Sequence, residues 1–160
     1  MRELLVKTLA TASLVIAAMF ATGVPAQAQS LANPVKVKVP FDFIVGDRTF
    51  PAGEYSFQRA QPTSGDAMLA VRNENGKTEL VRLTNAVQSL DAKSLATLVF
   101  HRYGNQHFLS QVWPAASSTG RELAPSRTER ELEREAKAAD RVGMRTSPAD
   151  TITVTITVNQ

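Results

Sequence analysis

HRYGNQHFLSQVW, residues 101–113, gathers the side chains of this 160-residue chain best suited to chemistry. It holds both histidines, His101 and His107, the single tryptophan, Trp113, and one of the two tyrosines, Tyr103. An imidazole can ligate a metal or move a proton near neutral pH. Gly104-Asn105 marks a turn between two strands, and the length of that turn decides what the histidines can do together. A two-residue loop sets His101 opposite Phe108 and His107 opposite Arg102, with the imidazoles on opposite faces. A three-residue loop sets His101 opposite Leu109 and His107 opposite Tyr103, with the imidazoles on one face. Only the second register brings both toward one metal. A third ligand would then have to come from Asp42, Asp47 or Asp91, none of which stands at a diagnostic spacing. The ligand count therefore favours an ordinary hairpin over a metal centre. Gly104 supplies the positive φ that a type II′ turn needs at its first central position.

Other chemistries fare no better. The chain has no cysteine, which excludes thiol catalysis, Cys-ligated zinc and iron–sulfur clusters. No G-x-S-x-G elbow presents a serine nucleophile to His101 or His107. Gly46 and Gly53 do not form a phosphate-cradling loop ahead of a helix. Most acids lie in a charged segment or beside turns, which is not the paired arrangement that glycoside hydrolysis needs. Trp113, Tyr103 and Tyr55 could stack on sugar rings, but aromatic residues make up only 6% of the chain and a core claims them first. The expectation is no catalytic, cofactor-binding or metal-ligating residue.

The elements that must carry these residues are mostly strands. VKVKVPFDFIV (35–45) alternates with period two and reads as a half-buried strand, with Pro40 marking an edge or bulge. Gly46-Asp47 turns the chain, and Phe50-Pro51-Ala52-Gly53 fits a type I turn. Tyr55 and Phe57 then share one face of a short strand. Residues 67–85 read as a hairpin about Asn75-Gly76. A two-residue type I′ loop there pairs Arg72 with Glu79, Val71 with Leu80 and Met68 with Leu83. PAASSTG (114–120) reads as a loop. Ser126 and Glu129 form an S-x-x-E capping box opening a helix over about 127–141. Its apolar stripe is only Leu132, Ala136 and Ala139, so it belongs on the surface or off the body. Arg127/Glu131 and Glu133/Lys137 support it at i,i+4. TITVTITV (151–158) alternates strictly and reads as a final strand returning to the sheet.

The first 28 residues are of another kind. Arg2 and Lys7 precede an uncharged apolar run over 8–24, and Ala26-Gln27-Ala28 follows as an A-x-A cleavage site. That is the pattern of a secretory signal peptide, and the run is short of the roughly 20 apolar residues of a membrane span. Removing Arg2, Lys7 and Glu3 with the leader leaves 16 basic against 14 acidic residues. So small an imbalance is no nucleic-acid footprint.

Three blocks, VPFDFIVGDRTFPAGEYSF, LVFHRYGNQHFLSQVW and GRELAPSRTERELERE, resemble in order and content a family of small exported β-rich proteins seen in Acidobacteria-like genomes. The resemblance covers most of residues 35–137. It implies an exported domain and attaches no activity, cofactor or catalytic residue. The chain departs from the pattern at Phe50, where Leu is usual, at His107, where Tyr is common, and at Ala124. A Tyr commonly at position 107 argues against a ligand role for His107.

The sequence thus predicts a signal peptide over 1–28 and a single mainly-β domain over 29–160, a small antiparallel barrel or sandwich with one charged surface helix before the C-terminal strand. The expected function is non-enzymatic: interaction with a protein or cell-envelope component in the periplasm or outside the cell, with no nucleic acid and no membrane span after cleavage. The alternatives are a small-ligand carrier with an apolar interior, or a hydrolase or metal-dependent enzyme using His101 or His107. A carrier requires an apolar cavity of roughly 300 Å³ or more. An interaction protein requires a filled core and an exposed edge or patch.

Overall fold

The computed structural model describes residues 34–60, 67–141 and 150–156. The signal-peptide reading and the last two residues of TITVTITV lie outside them. Within them the chain is mainly β, with one helix before the last strand.

The alternation of VKVKV makes β1 (Val35–Val39), with its valines buried and its lysines exposed. The strand does not continue to Val45 as the alternation suggests. Pro40 has no N–H to give a ladder, and the chain breaks there before β2 (Phe43–Val45). Period two survives the break, because Phe43 and Val45 are also buried. Gly46 takes a φ of +64° and turns β2 into β3 (Arg48–Phe50). Asp42 Oδ1 accepts the Ala52 N–H at 2.8 Å and so fixes the approach to β4 (Gly53–Arg59). Tyr55 and Phe57 share the buried face of β4, as expected.

β5 (Met68–Asn73) and β6 (Thr78–Lys93) form the next hairpin. Met68 opposes Leu83 and Val71 opposes Leu80 as predicted. The turn itself differs from the type I′ reading. Positive φ is confined to Gly76, at +74°, and does not extend to Asn75. Asn73 O accepts the Gly76 N–H at 2.9 Å, and the Asn73 N–H donates to Lys77 O at 3.0 Å. The loop is therefore three residues long, a type I turn closed by a left-handed glycine. The Asn73 side chain supports it, with Oδ1 accepting the Lys77 N–H and Nδ2 donating to Glu79 Oε1, each at 3.0 Å. The extra residue appears as a bulge, so Arg72 opposes Thr78 and not Glu79. Glu79 pairs instead with Arg48 at 2.8 Å.

β7 (Ala96–Tyr103) and β8 (Gln106–Trp113) turn at Gly104-Asn105. Residues 117–123, in part read as loop, are strand β9 (Ser117–Leu123). Propensity conceals it, since SSTGREL lacks apolar alternation. Pairing between β6 and β8 makes it a strand, and Gly120 lets the Trp113 ring lie against it. A Cβ at Gly120 would stand 2.6 Å from the indole.

The sheet order is β1-β4-β5-β6-β9-β8, continuing through β7 to β10 (Asp150–Ile156). One edge of β8 is covered by β7. The other is shared by β9, at Gln111 and Val112, and by a short parallel contact with β2, where Phe108 meets Ile44. The last strand returns antiparallel to β7 as expected. The terminal strands β1 and β10 come alongside one another without a ladder, so the sheet curls but does not close. Its concave side is filled. Phe43, Phe57, Phe100, Leu69 and Leu98 are fully buried, and Phe43 meets Phe50, Tyr55 and Phe100 at ring separations of 5.1–5.8 Å.

Helix α1 (Arg127–Arg141) opens where the capping box predicts, with Ser126 Oγ accepting the Glu129 N–H at 3.1 Å. Both expected i,i+4 pairs, Arg127–Glu131 and Glu133–Lys137, form. The helix lies on the surface but does not hang free. Ser126 and Glu129 are buried, and the helix packs against β7.

Candidate functional site

Three places could carry function: the histidine hairpin, the strand β6, and a cleft at the start of α1.

In the hairpin, Tyr103 opposes Gln106, so the loop is two residues long and type II′, with a φ of +61° at Gly104 alone. His101 then opposes Phe108 and His107 opposes Arg102, and the imidazoles fall on opposite faces. His107 stacks on Phe41 at 4.2 Å between centroids. His101 Nδ1 lies 2.8 Å from Glu129 Oε1. The hydrogen bond to this buried carboxylate raises the His101 pKa above its ordinary 6.5, against the opposing effect of burial; the charges of Glu129, Glu133 and Glu122 add to the rise. Burial and the same helix acids, Glu129 and Glu133, push the Tyr103 phenol up.

The suggested third ligands do not join either histidine. Asp42 holds the Ala52 N–H, and Asp47 pairs with Arg82 at 3.3 Å. Asp91 lies exposed on β6. Among the described residues no three His, Asp or Glu side chains gather. His101–Glu129 resembles the base-and-orienter half of an acid–base site, but among the described residues no hydroxyl is hydrogen-bonded to the imidazole. What the pair does is join α1 to β7. Of the possible sugar-stacking residues, Trp113 and Tyr55 are buried and Tyr103 is half-buried.

β6 is 16 residues long and serves two neighbours in turn. Residues up to Leu83 pair with β5, and residues from Thr84 pair with β9. Thr84 lies between Ala67, whose carbonyl accepts its N–H at 2.7 Å, and Leu123, its opposite residue in β9. The two neighbours therefore occupy opposite edges. Beyond Thr84 the edge on the β5 side has no strand partner among the described residues. Residues 89–92 also bulge away from β9, because the register jumps between Gln88 and Lys93. Leu90, within the bulged residues, is fully exposed, and Leu95, between β6 and β7, is 40% exposed.

The cleft, of about 400 Å³, lies between the β2–β3 turn, β6 and the first turn of α1. Arg82, Arg127 and Arg130 line it against a single carboxylate, Asp47, with Leu83 and Leu123 as its apolar wall. The sequence gives little sign of it. Arg127 and Arg130 are readable as i,i+3 neighbours, but nothing in their spacing places Arg82 beside them.

No family model, curated protein or solved structure matches the chain. Among the described residues no helix is long and apolar enough to cross a membrane.

Proposed function

We propose that the chain is an exported, non-enzymatic β-domain that acts by interaction in the periplasm or at the cell surface, on a protein or cell-envelope component. The observation that carries this reading is the second half of β6. It offers an unpaired edge among the described residues, with Leu90 fully exposed and Leu95, just after the strand, also exposed. Free backbone donors and acceptors beside exposed leucines are what a partner strand or an apolar surface uses for docking. The packed phenylalanine cluster supports it, because an interaction module needs a filled core and an exposed patch. The leader and the resemblance to small exported proteins support the location. Among the described residues the carrier alternative draws on the arginine-lined cleft, whose lining mixes three arginines and an aspartate with apolar residues and is not the wholly apolar interior expected of such a carrier.

The test is a photo-crosslinking amino acid placed at Leu90 in intact cells, with Glu74 on the far β-turn as control. A discrete adduct from position 90 and none from position 74 is expected. Equal labelling from both positions, or none from either, overturns the interaction reading. Intact mass of the exported form tests the location, with a chain beginning at Gln29 expected. Retention of residues 1–28 in a cytoplasmic protein would refute export.

A further inference from the structure

We propose that the cleft between the β2–β3 turn, β6 and α1 binds an organic oxyanion, a carboxylate or phosphate carried on a small apolar body. The site is separate from the β6 edge and does not depend on it.

The argument begins with Arg82. A guanidinium has five N–H donors in a fixed fork. Asp47 Oδ2 takes one of them, at 3.3 Å, and Nε is buried with no hydrogen-bond partner among the described residues. The group is held by shape. It lies on Gly46, where a Cβ would stand 1.9 Å from Nη2. A bare glycine in a left-handed turn thus makes the seat on which the guanidinium rests.

Two more arginines line the same space. Arg130 Nη1 donates to Pro125 O at 3.0 Å, and Arg127 Nε donates to Glu131 Oε1 at 3.0 Å. Each keeps donors in reserve. The partners that oppose an incoming anion are weak. Asp47 is 71% exposed and Glu131 is 54% exposed, and ion pairs of such exposure contribute little. An oxyanion that meets the Arg82 fork in the bidentate manner gains a stronger, charge-assisted contact than the one it replaces.

The size and the wall define the rest of the ligand. About 400 Å³ falls in the range of small-molecule sites and exceeds what an inorganic anion fills. Leu83, 71% exposed, and the buried Leu123 supply the apolar part of the lining. A ligand with its head on the arginines and a short hydrocarbon body on the leucines uses both halves.

Isothermal titration of the exported chain tests this with hexanoate, hexyl phosphate and the neutral hexanamide as probes. At least one of the two anions is expected to bind with one-to-one stoichiometry, at least tenfold tighter than hexanamide. The two anions together distinguish a carboxylate from a phosphate head. Arg82→Gln is expected to weaken binding at least tenfold. Arg130→Gln is the second variant, since among the described residues its side chain bonds the nearby Pro125 carbonyl and not a strand. Asp47→Asn, by removing the competing carboxylate, is expected to tighten binding. Failure of both anions to bind, equal binding of hexanamide, or unchanged affinity in Arg82→Gln and Arg130→Gln, each folded by circular dichroism, overturns the proposal. So does weaker binding by folded Asp47→Asn.

Discussion

His101 and Glu129 stand 28 residues apart in the chain and 2.8 Å apart in space. A carboxylate buried at a helix start is costly unless it is paired, and His101 is the partner this chain supplies. The raised pKa of His101 follows first from that hydrogen bond. A group whose folded pKa lies above its unfolded value stabilises the fold fully below the unfolded value, near 6.5, and loses that contribution as pH rises through the folded value. The stability lost in His101→Gln should therefore be largest in mild acid and shrink on the alkaline side. Denaturant titrations of both proteins across this range measure it, and a gap that widened with pH would contradict the pairing. The same histidines should leave metal affinity unaltered. Zinc titration of the double change His101→Gln, His107→Gln should match wild type, and tight stoichiometric binding lost in the variant would restore a metal-site reading. Gly76 makes a third case. Its Cβ would meet nothing within 4 Å, so strain at φ +74° acts alone. Gly76→Val should cost on the order of 1 kcal/mol or more, because a β-branched residue resists positive φ. An unchanged melting temperature would show that the turn relaxes without cost.

Among the elements, those with a short-range signal were legible and those decided by pairing were not. VKVKV, the GEYSF strand, the turn at Gly104-Asn105 and the S-x-x-E helix start each rest on neighbours a few residues away, and each stands where the sequence puts it, although the sequence leaves the length of that turn open between two and three residues and pairing of Tyr103 with Gln106 makes it two. β9 was hidden because its polar residues gain strand geometry only between β6 and β8. The turn at Asn75-Gly76 was read one residue short because the Asn73 side chain stabilises the longer loop. The cleft was illegible for a related reason: Arg82 and Arg130 meet only after β6 and α1 are placed. Helix α1 shows both behaviours. Its boundaries follow from composition, yet its docking depends on one acid that the capping box would have used locally. Leu132 is only half-buried, so Leu132→Ala should cost less than the 2–5 kcal/mol usual for a buried leucine. Glu129→Ala should cost more than Leu132→Ala, since it removes the link to β7. Chemical denaturation of the two variants ranks them, and the reverse order would mean that apolar contact and not the ion pair holds the helix.

At the scale of the whole molecule, the open question for any curled sheet is what guards its ends. β1 carries exposed Lys36 and Lys38, which discourage pairing with another chain. At the opposite end, β7 would be the terminal strand if β10 were absent, and β7 contains the fully buried Leu98 and Phe100. β10 pairs with β7 from Ala96 through Arg102, so it satisfies the very edge that core strands cannot leave open. Its order in the chain has a consequence, because β10 follows α1, which itself packs on β7. Ending the chain at Arg141 should therefore leave a recognisable β-protein with an unpaired β7 edge. Such an edge templates self-association. Size-exclusion chromatography of the truncated chain should show oligomers or aggregate where the full chain does not, with far-ultraviolet circular dichroism still of β type. A truncated chain of unchanged size and stability would mean that β10 is an accessory strand and that β7 is protected by some other means.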